Sequence, residues 1–468
     1  MRRSPLQSAV QSYSGRALNV SAERLLNCYA EPNPQSAASP VAVYSSPGME
    51  SWADLRTTAN GPVRGLHFFL GQIWAAIGSE LYRIDSNATA VKVGDIPDGG
   101  PVYFADNGTH VWVCTRTDCY YANNTAFGLL PERSLYPAYQ DGYLIGFQQS
   151  TDNIFLSGLD DATTIGGLDF TTSDAFPDSV VSGISVGRNV IAAGRRSIEI
   201  YYNSGNNLYP FDRIPGGVVE RGILAAGTIA KDDVSAFFVG DDFNAYRIAG
   251  GQIQKISTPH ISRLVEDEAN PDGLRGYISR FRGHVFYIVV GDTFTISYDT
   301  STQLWSEMGS PDILFNGPQL SRWRASGLVA AWGGVEYVGD FERSMVHKLS
   351  ATEHSELGSP IRREMITPPI GDGNWAVLDS VEMDMETGNY DDTSDGLGDP
   401  EVMLSWSDDG GHTWSNELTA TAGDVGEHLT QVRFSRLGRF RRRHIKVAVS
   451  APFLLSVVGV RASIRALQ

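Results

Sequence analysis

"VRGLHFFLGQIWAAIGSELYRI", residues 63–84, decides how this chain is read. It is three short apolar runs, "VRGLHFF", "QIWAAI" and "ELYRI", separated by two-residue breaks that contain Gly71 and Gly78. Runs this short and this rich in β-branched and aromatic residues are strands. Two-residue connections join antiparallel neighbours, and glycine takes the positive φ such turns demand. The stretch is therefore a three-stranded meander.

Moving outward, the same unit returns near Val102 ("VYFADNGTHVWVCTRTDCYY"), Ala138 ("AYQDGYLIGFQQSTDNIFLS") and Ile184 ("ISVGRNVIAAGRRSIEIYY"), then near Ala230, Tyr277 and Ser321. The spacing is about 36–47 residues, the period of four-stranded propeller blades. Seven units are counted, and six blades stay open if one unit is shared at the ring closure. The expected fold is all-β: a β-propeller of about six or seven blades over 41–355. An N-terminal extended arm (1–40) precedes it, with a helical turn or two at "SAERLLNCY" capped by Ser21. After it, "WAVLDSVEMDMET", "EVMLSWSDDG", "RRHIKVAVS" and "LLSVVGVRASI" alternate like half-buried strands. They predict a β-sandwich or jelly-roll-like domain over 356–468. One helix interrupts the propeller at "STPHISRLVEDEANPDG": Thr258 caps, Pro259 suits the first turn, and Ile261, Leu264 and Val265 share a packing face.

The totals narrow the function. The net charge of −17 argues against non-specific duplex binding, which needs Lys and Arg to neutralise phosphates. It suits a surface past which DNA moves. No run approaches 18 apolar residues, so no membrane span is expected, and the basic start lacks the apolar core of a signal peptide. Cys28, Cys114 and Cys119 match neither a zinc nor a redox motif and are expected as buried reduced thiols. Histidines show no metal-ligand spacing, and no P-loop or G-x-S-x-G occurs, so no metal, cofactor or catalytic residue is expected. The acidic loop "DDTSDG" (391–396) lacks the bidentate Glu of a calcium loop and reads as solvated.

Two features carry site hypotheses. Residues 407–414 spell S-x-D-x-G-x-T-W, the Asp-box hairpin best known from sialidases: Ser407, Asp409, Gly411, Thr413 and Trp414. Asp409 accepts turn N–H groups, Gly411 supplies positive φ, and Thr413 and Trp414 open the return strand with the indole over the hairpin. These roles are structural. "FDRIP" (211–215) resembles the sialidase R-I-P tripeptide, but it lies far before a single box that falls outside the propeller. The second feature is "RFSRLGRFRRRHIKV" (433–447). Arg433, Arg436, Arg439, Arg441, Arg442, Arg443 and Lys446 crowd an otherwise acidic chain and are expected at a subunit or adaptor interface.

The ordered set of landmarks resembles the tail nozzle proteins of short-tailed bacteriophages, also called packaged-DNA-stabilisation or tail-hub proteins. The stretches are "LLNCYAEPN" (25–33), "YSSPGME" (44–50), "GPVRGLHFF" (61–69), "SVGRNVIAAGRRSIEIYYNSG" (185–205), "QKISTPHISRLV" (254–265), "VMLSWSDDGGHTW" (402–414) and "RLGRFRRRHIKVAVSAPFLLSVVGVRASI" (436–464). The resemblance implies a non-enzymatic virion protein, assembled in the host bacterial cytoplasm. It implies a homo-hexameric ring below the portal and its adaptor, with tail fibres or tailspikes around it and a needle or plug at its tip. Double-stranded DNA would pass the channel without sequence recognition. The alternatives are a glycan- or receptor-binding propeller and a glycosidase.

Overall fold

The computed structural model describes residues 2–6, 9–16, 21–34, 39–148, 151–173, 178–206, 209–311, 320–388 and 400–467. The acidic loop 391–396 lies outside them. The chain divides into two compact units: residues 51–292 with 324–349, and residues 1–50 with 293–323 and 350–468.

The first unit is the propeller. Val63–Phe69, Gln72–Ile77, Glu80–Ile84 and Ala90–Asp95 form one antiparallel four-stranded blade. Leu70 and Gly71 both have positive φ, as a tight twisted hairpin turn requires. Gly78 (φ +52°) turns the next hairpin. The first strands of seven sheets stand in ring order: Val63–Phe69, Tyr103–Asp106, Ala138–Gln140, Val180–Val186, Ala230–Lys231, Arg275–Phe281 and Ala325–Ala331. Each packs on the next and the last packs on the first, so the ring closes with seven blades.

Neighbouring blades share apolar cores because strand residues alternate between two covered faces. Trp74, Ala76 and Leu81 of the first blade pack with Val111, Val113 and Ala122 of the second. The opposite face of the second blade sends Trp112 to the third, where its indole N–H donates to the Ala162 carbonyl at 2.8 Å. Arg64, buried in the first strand, donates to the carbonyls of Gly78, Pro97, Gly99 and Gly100 and so pins the link to the second blade. At the closure, Leu55, Ala59 and Val63 pack with Tyr337 and Val346. The helix Pro259–Glu266 forms as read: Thr258 Oγ1 accepts from the Ile261 N–H, and Ile261 and Val265 are buried.

The second unit is the β-sandwich. One sheet runs Cys28–Pro32, Val41–Ser45, Ser456–Ala466, Ala376–Met385, Val432–Ser435. Within this unit the other orders Ala22–Leu26, Arg363–Ile366, His444–Val449, Glu401–Ser407 and Leu418–Thr421. Leu25, Val381, Val402, Leu404, Phe434, Val447 and Val460 fill the space between.

Three expectations are corrected. The described residues of 1–40 include paired strands and not only an extended arm: Arg2–Leu6 pairs with Ser456–Ala466, and Ala22–Leu26 pairs with Arg363–Ile366. The compact units divide at 50/51 and 349/350, with residues 293–323 grouped with the second unit. "SAERLLNCY" is strand, not helix, because Leu25, Leu26 and Cys28 are worth more in the sandwich core than helical propensity offers. Cys114 and Cys119 are direct partners across two paired strands and are joined as a disulfide, not held as thiols; Cys28 is free and buried.

Candidate functional site

The Asp-box closes the hairpin between Glu401–Ser407 and Leu418–Thr421. Ser407 Oγ donates to Asp409 Oδ1 at 2.7 Å and accepts from the Gly411 N–H at 2.7 Å. Thr413 donates its N–H to Asp409 Oδ1 at 2.9 Å and its hydroxyl to Oδ2 at 2.6 Å. These bonds, the Thr413 hydroxyl first, hold the Asp409 carboxyl well below the usual carboxylate range. Gly411 takes φ +97°. Trp414 departs from the expected position. The return strand begins at Leu418, and the Trp414 indole is half-buried under the Lys446 ammonium, 4.5 Å from the ring centroid. Every contact ties the turn together, and none presents a reactive pair.

The arginine run separates by burial. Arg443 is 2% exposed. Its guanidinium grips Asp408 through two bonds of 2.6 and 2.7 Å and donates to the Leu437 and Arg439 carbonyls. It also lies between the Trp406 and Phe440 rings, at 5.1 and 5.0 Å. Arg443 is thus an internal brace and unavailable to a partner, which corrects its expected place at the interface. Lys446 is likewise engaged over Trp414. Arg433 sits 3.6 Å from Glu382. Arg441 is exposed and stacks on the half-exposed Trp375 at 4.6 Å. Arg436, Arg439 and Arg442 are exposed and have no acidic side chain within ion-pair distance among the described residues. The strand–turn–strand path explains the sorting, because alternate residues point into the sandwich and out of it.

The R-I-P arginine, Arg213, pairs with Glu199 at 3.1 Å, and Tyr201 donates to the same carboxylate at 2.9 Å. Glu199 is 1% and Tyr201 4% exposed, so the Tyr–Glu pair is buried within its blade, while Arg213 is exposed.

Sequence reading missed the propeller axis. Tyr103 and Tyr136 pack with ring centroids 4.4 Å apart, and burial pushes the Tyr136 phenol well up. A side chain added at Gly227, just ahead of the fifth blade, would meet Tyr103 Oη of the second blade and Arg275 Nη1 of the sixth, each at 2.7 Å. Groups from opposite sides of the ring therefore meet and cross the axis. They leave a cavity on each side, of about 420 and about 580 Å³, with Tyr136 lining both. His67, Asp106, Tyr139, Ser185 and Lys231 of the second cavity lie on five successive first strands. Their only sequence signal is the blade period. Among the described residues, no group of three His, Cys, Asp or Glu is placed to hold a metal ion. Among them, too, no helix is long and apolar enough to cross a membrane.

Two family models match. One, described as bacteriophage P22 Gp10, β-propeller, covers residues 13–354, and the other, bacteriophage P22 Gp10, β-sandwich, covers 362–465. No curated protein sequence matches the chain. Among solved structures, the extracellular domain of the hybrid two-component system BT4673 from B. thetaiotaomicron is 10% identical, with TM-score 0.43 over 76% of this chain, which spans 42% of that one. The WD40 domain of Neurospora crassa Pan2 is 11% identical, with TM-score 0.40 over 62% of this chain and 89% of that one.

Proposed function

We propose a function from one premise: the chain belongs to the bacteriophage P22 Gp10 family, and is a structural protein of a phage tail nozzle in the virion. From it follows the finer reading, that copies assemble in the host cytoplasm into a homo-hexameric ring below the portal adaptor. The ring retains packaged DNA and conducts it on ejection. Tail fibres or spikes flank the ring, and a needle or plug closes it. The observation that carries this reading is the end-to-end family match through both units.

The chemistry of the chain supports it. Arg436, Arg439 and Arg442 are exposed cations on a chain of net charge −17, so one copy offers what the acidic surface of the next would bind. Unlike faces that meet head to tail close into rings when the rotation between copies closes. Six copies would carry roughly −100 in charge, facing a duplex with one negative charge per ~1.7 Å. Attraction would seize dozens of phosphates at once, whereas repulsion keeps the duplex centred and mobile. That force acts only within about 8 Å of the wall at physiological salt. The mechanism needs no catalytic group.

Electron microscopy of the purified chain, alone and mixed with adaptor complexes, tests it. Six-fold rings are expected. A chain that stays monomeric in both conditions overturns the ring.

A further inference from the structure

The cavity of about 580 Å³ on the propeller axis has a makeup of its own. Its size falls within the range of small-molecule sites, about 300–1,000 Å³, which are mostly apolar with a few fixed polar groups. Tyr139 offers an exposed ring, and Ile184 and Phe104 are half-buried beside it. His67 stacks on Phe104 with centroids 5.8 Å apart and planes parallel to within 1°.

The polar groups are partly spent and partly open. His67 Nε2 is 2.7 Å from Asp106 Oδ2, and Asp106 Oδ1 accepts from the Gly108 N–H at 3.0 Å, so that carboxylate is occupied. His67 Nδ1 has no hydrogen-bond partner among the described residues. Asn107 uses its carbonyl on Thr109 and His110, which leaves its NH₂ for a guest. Lys231 is the decisive group. Its ammonium donates to the Ser185 carbonyl at 2.7 Å, and no carboxylate lies within ion-pair distance of it among the described residues. Burial lowers its pKa, as expected of a cation short of counter-charge.

We propose that this cavity binds a carboxylate-bearing sugar. The hydrophobic face of the ring stacks on Tyr139, its hydroxyls meet His67 and Asn107, and its carboxylate pairs with Lys231. Aromatic rings give broad apolar contact at low entropic cost, and a charge-assisted bond to a part-buried ammonium selects the acid over the neutral sugar. Tyr103 and Tyr136, which line this cavity, close its floor and limit the guest to a short saccharide. This site is additional to the tail role and does not depend on ring formation.

Saturation-transfer NMR on the full chain tests it with three probes: glucuronate, glucose and acetate. Transfer is expected strongest to the ring protons of glucuronate, weaker to glucose and absent for acetate. Lys231→Met should weaken glucuronate by roughly ten-fold or more and leave glucose unchanged. Tyr139→Ala should remove both. Melting scans of both variants beside the parent separate loss of the site from loss of the fold, since Lys231 also holds the Ser185 carbonyl and Tyr139 accepts from the Gly142 N–H. Transfer to none of the sugars, or glucuronate binding that survives Lys231→Met unchanged, overturns the proposal. Rings seen by microscopy without sugar binding would sink this site and leave the tail role standing.

Discussion

Replacing Arg443 by Met keeps the length and apolar packing of the side chain and deletes its charge and donors. Three contributions are lost. The Leu437 carbonyl loses a buried donor, a cost of about 1–3 kcal/mol. The Arg439 carbonyl is only part-buried and recovers some of its loss from water. The Asp408 carboxylate is 46% exposed, so it rehydrates, and its share falls to about 1 kcal/mol, well below a fully buried pair. The sum is about 3 kcal/mol against the sandwich. Asp408→Asn alone should cost about 1 kcal/mol, because the carbonyl bonds of Arg443 survive it. The double variant should be little worse than Arg443→Met, since the two groups share one network. Urea unfolding followed by tryptophan fluorescence reads this directly, with Trp406 under the guanidinium as a local reporter. An Arg443→Met chain with an unshifted midpoint would refute the brace. So would an Arg443→Glu chain that folds normally and fails only in assembly.

Four further outcomes are expected. Reversing Arg436, Arg439 and Arg442 to Glu should leave stability within about 0.5 kcal/mol yet block ring or tail assembly; normal tails from this triple variant would remove these arginines from the interface. Trp414→Ala should cost about 1–2 kcal/mol, less than a core tryptophan, because the ring is half-buried; a calorimetric loss above that range would place it in the core. The depressed Asp409 carboxyl stabilises the hairpin fully above the unfolded value near about pH 4, and that stability is lost as pH falls toward the lower folded value. Asp409→Asn should flatten this acid dependence in melting scans, and an unchanged slope would show that the carboxylate is not what titrates. Burial pushes the Cys28 thiol up to about 12, so iodoacetamide should spare it in the native chain and label it in urea; rapid native labelling would contradict its burial.

The blade pattern was legible because each unit states itself locally: Leu70-Gly71 and Gly78 mark turns within a few residues of the strands they join. The Asp-box was legible for the same reason, since its bonds link residues at most four apart. What failed to read was non-local. Leu25 and Leu26 look helical until Arg363–Ile366, more than 300 residues on, supplies a partner strand. Arg443 looks like its exposed neighbours until Asp408 and the Leu437 carbonyl are brought to it. His67 and Lys231 line one cavity from the first and fifth blades, and nothing short of the closed ring aligns them.

Tyr103, Tyr136 and Arg275 fill the middle of the propeller, which makes each propeller a solid disc, not a washer. In the proposed ring, a duplex would therefore pass between copies and not through the blades. Six equal discs touching in a circle enclose a gap as wide as one disc, and five or seven enclose a narrower or wider one. In the proposed ring the bore would then be set by stoichiometry and contact angle, and not by the centres of the propellers. Enlarging the tyrosine wall would leave it unchanged, while altering one contact between copies would change it in every copy at once.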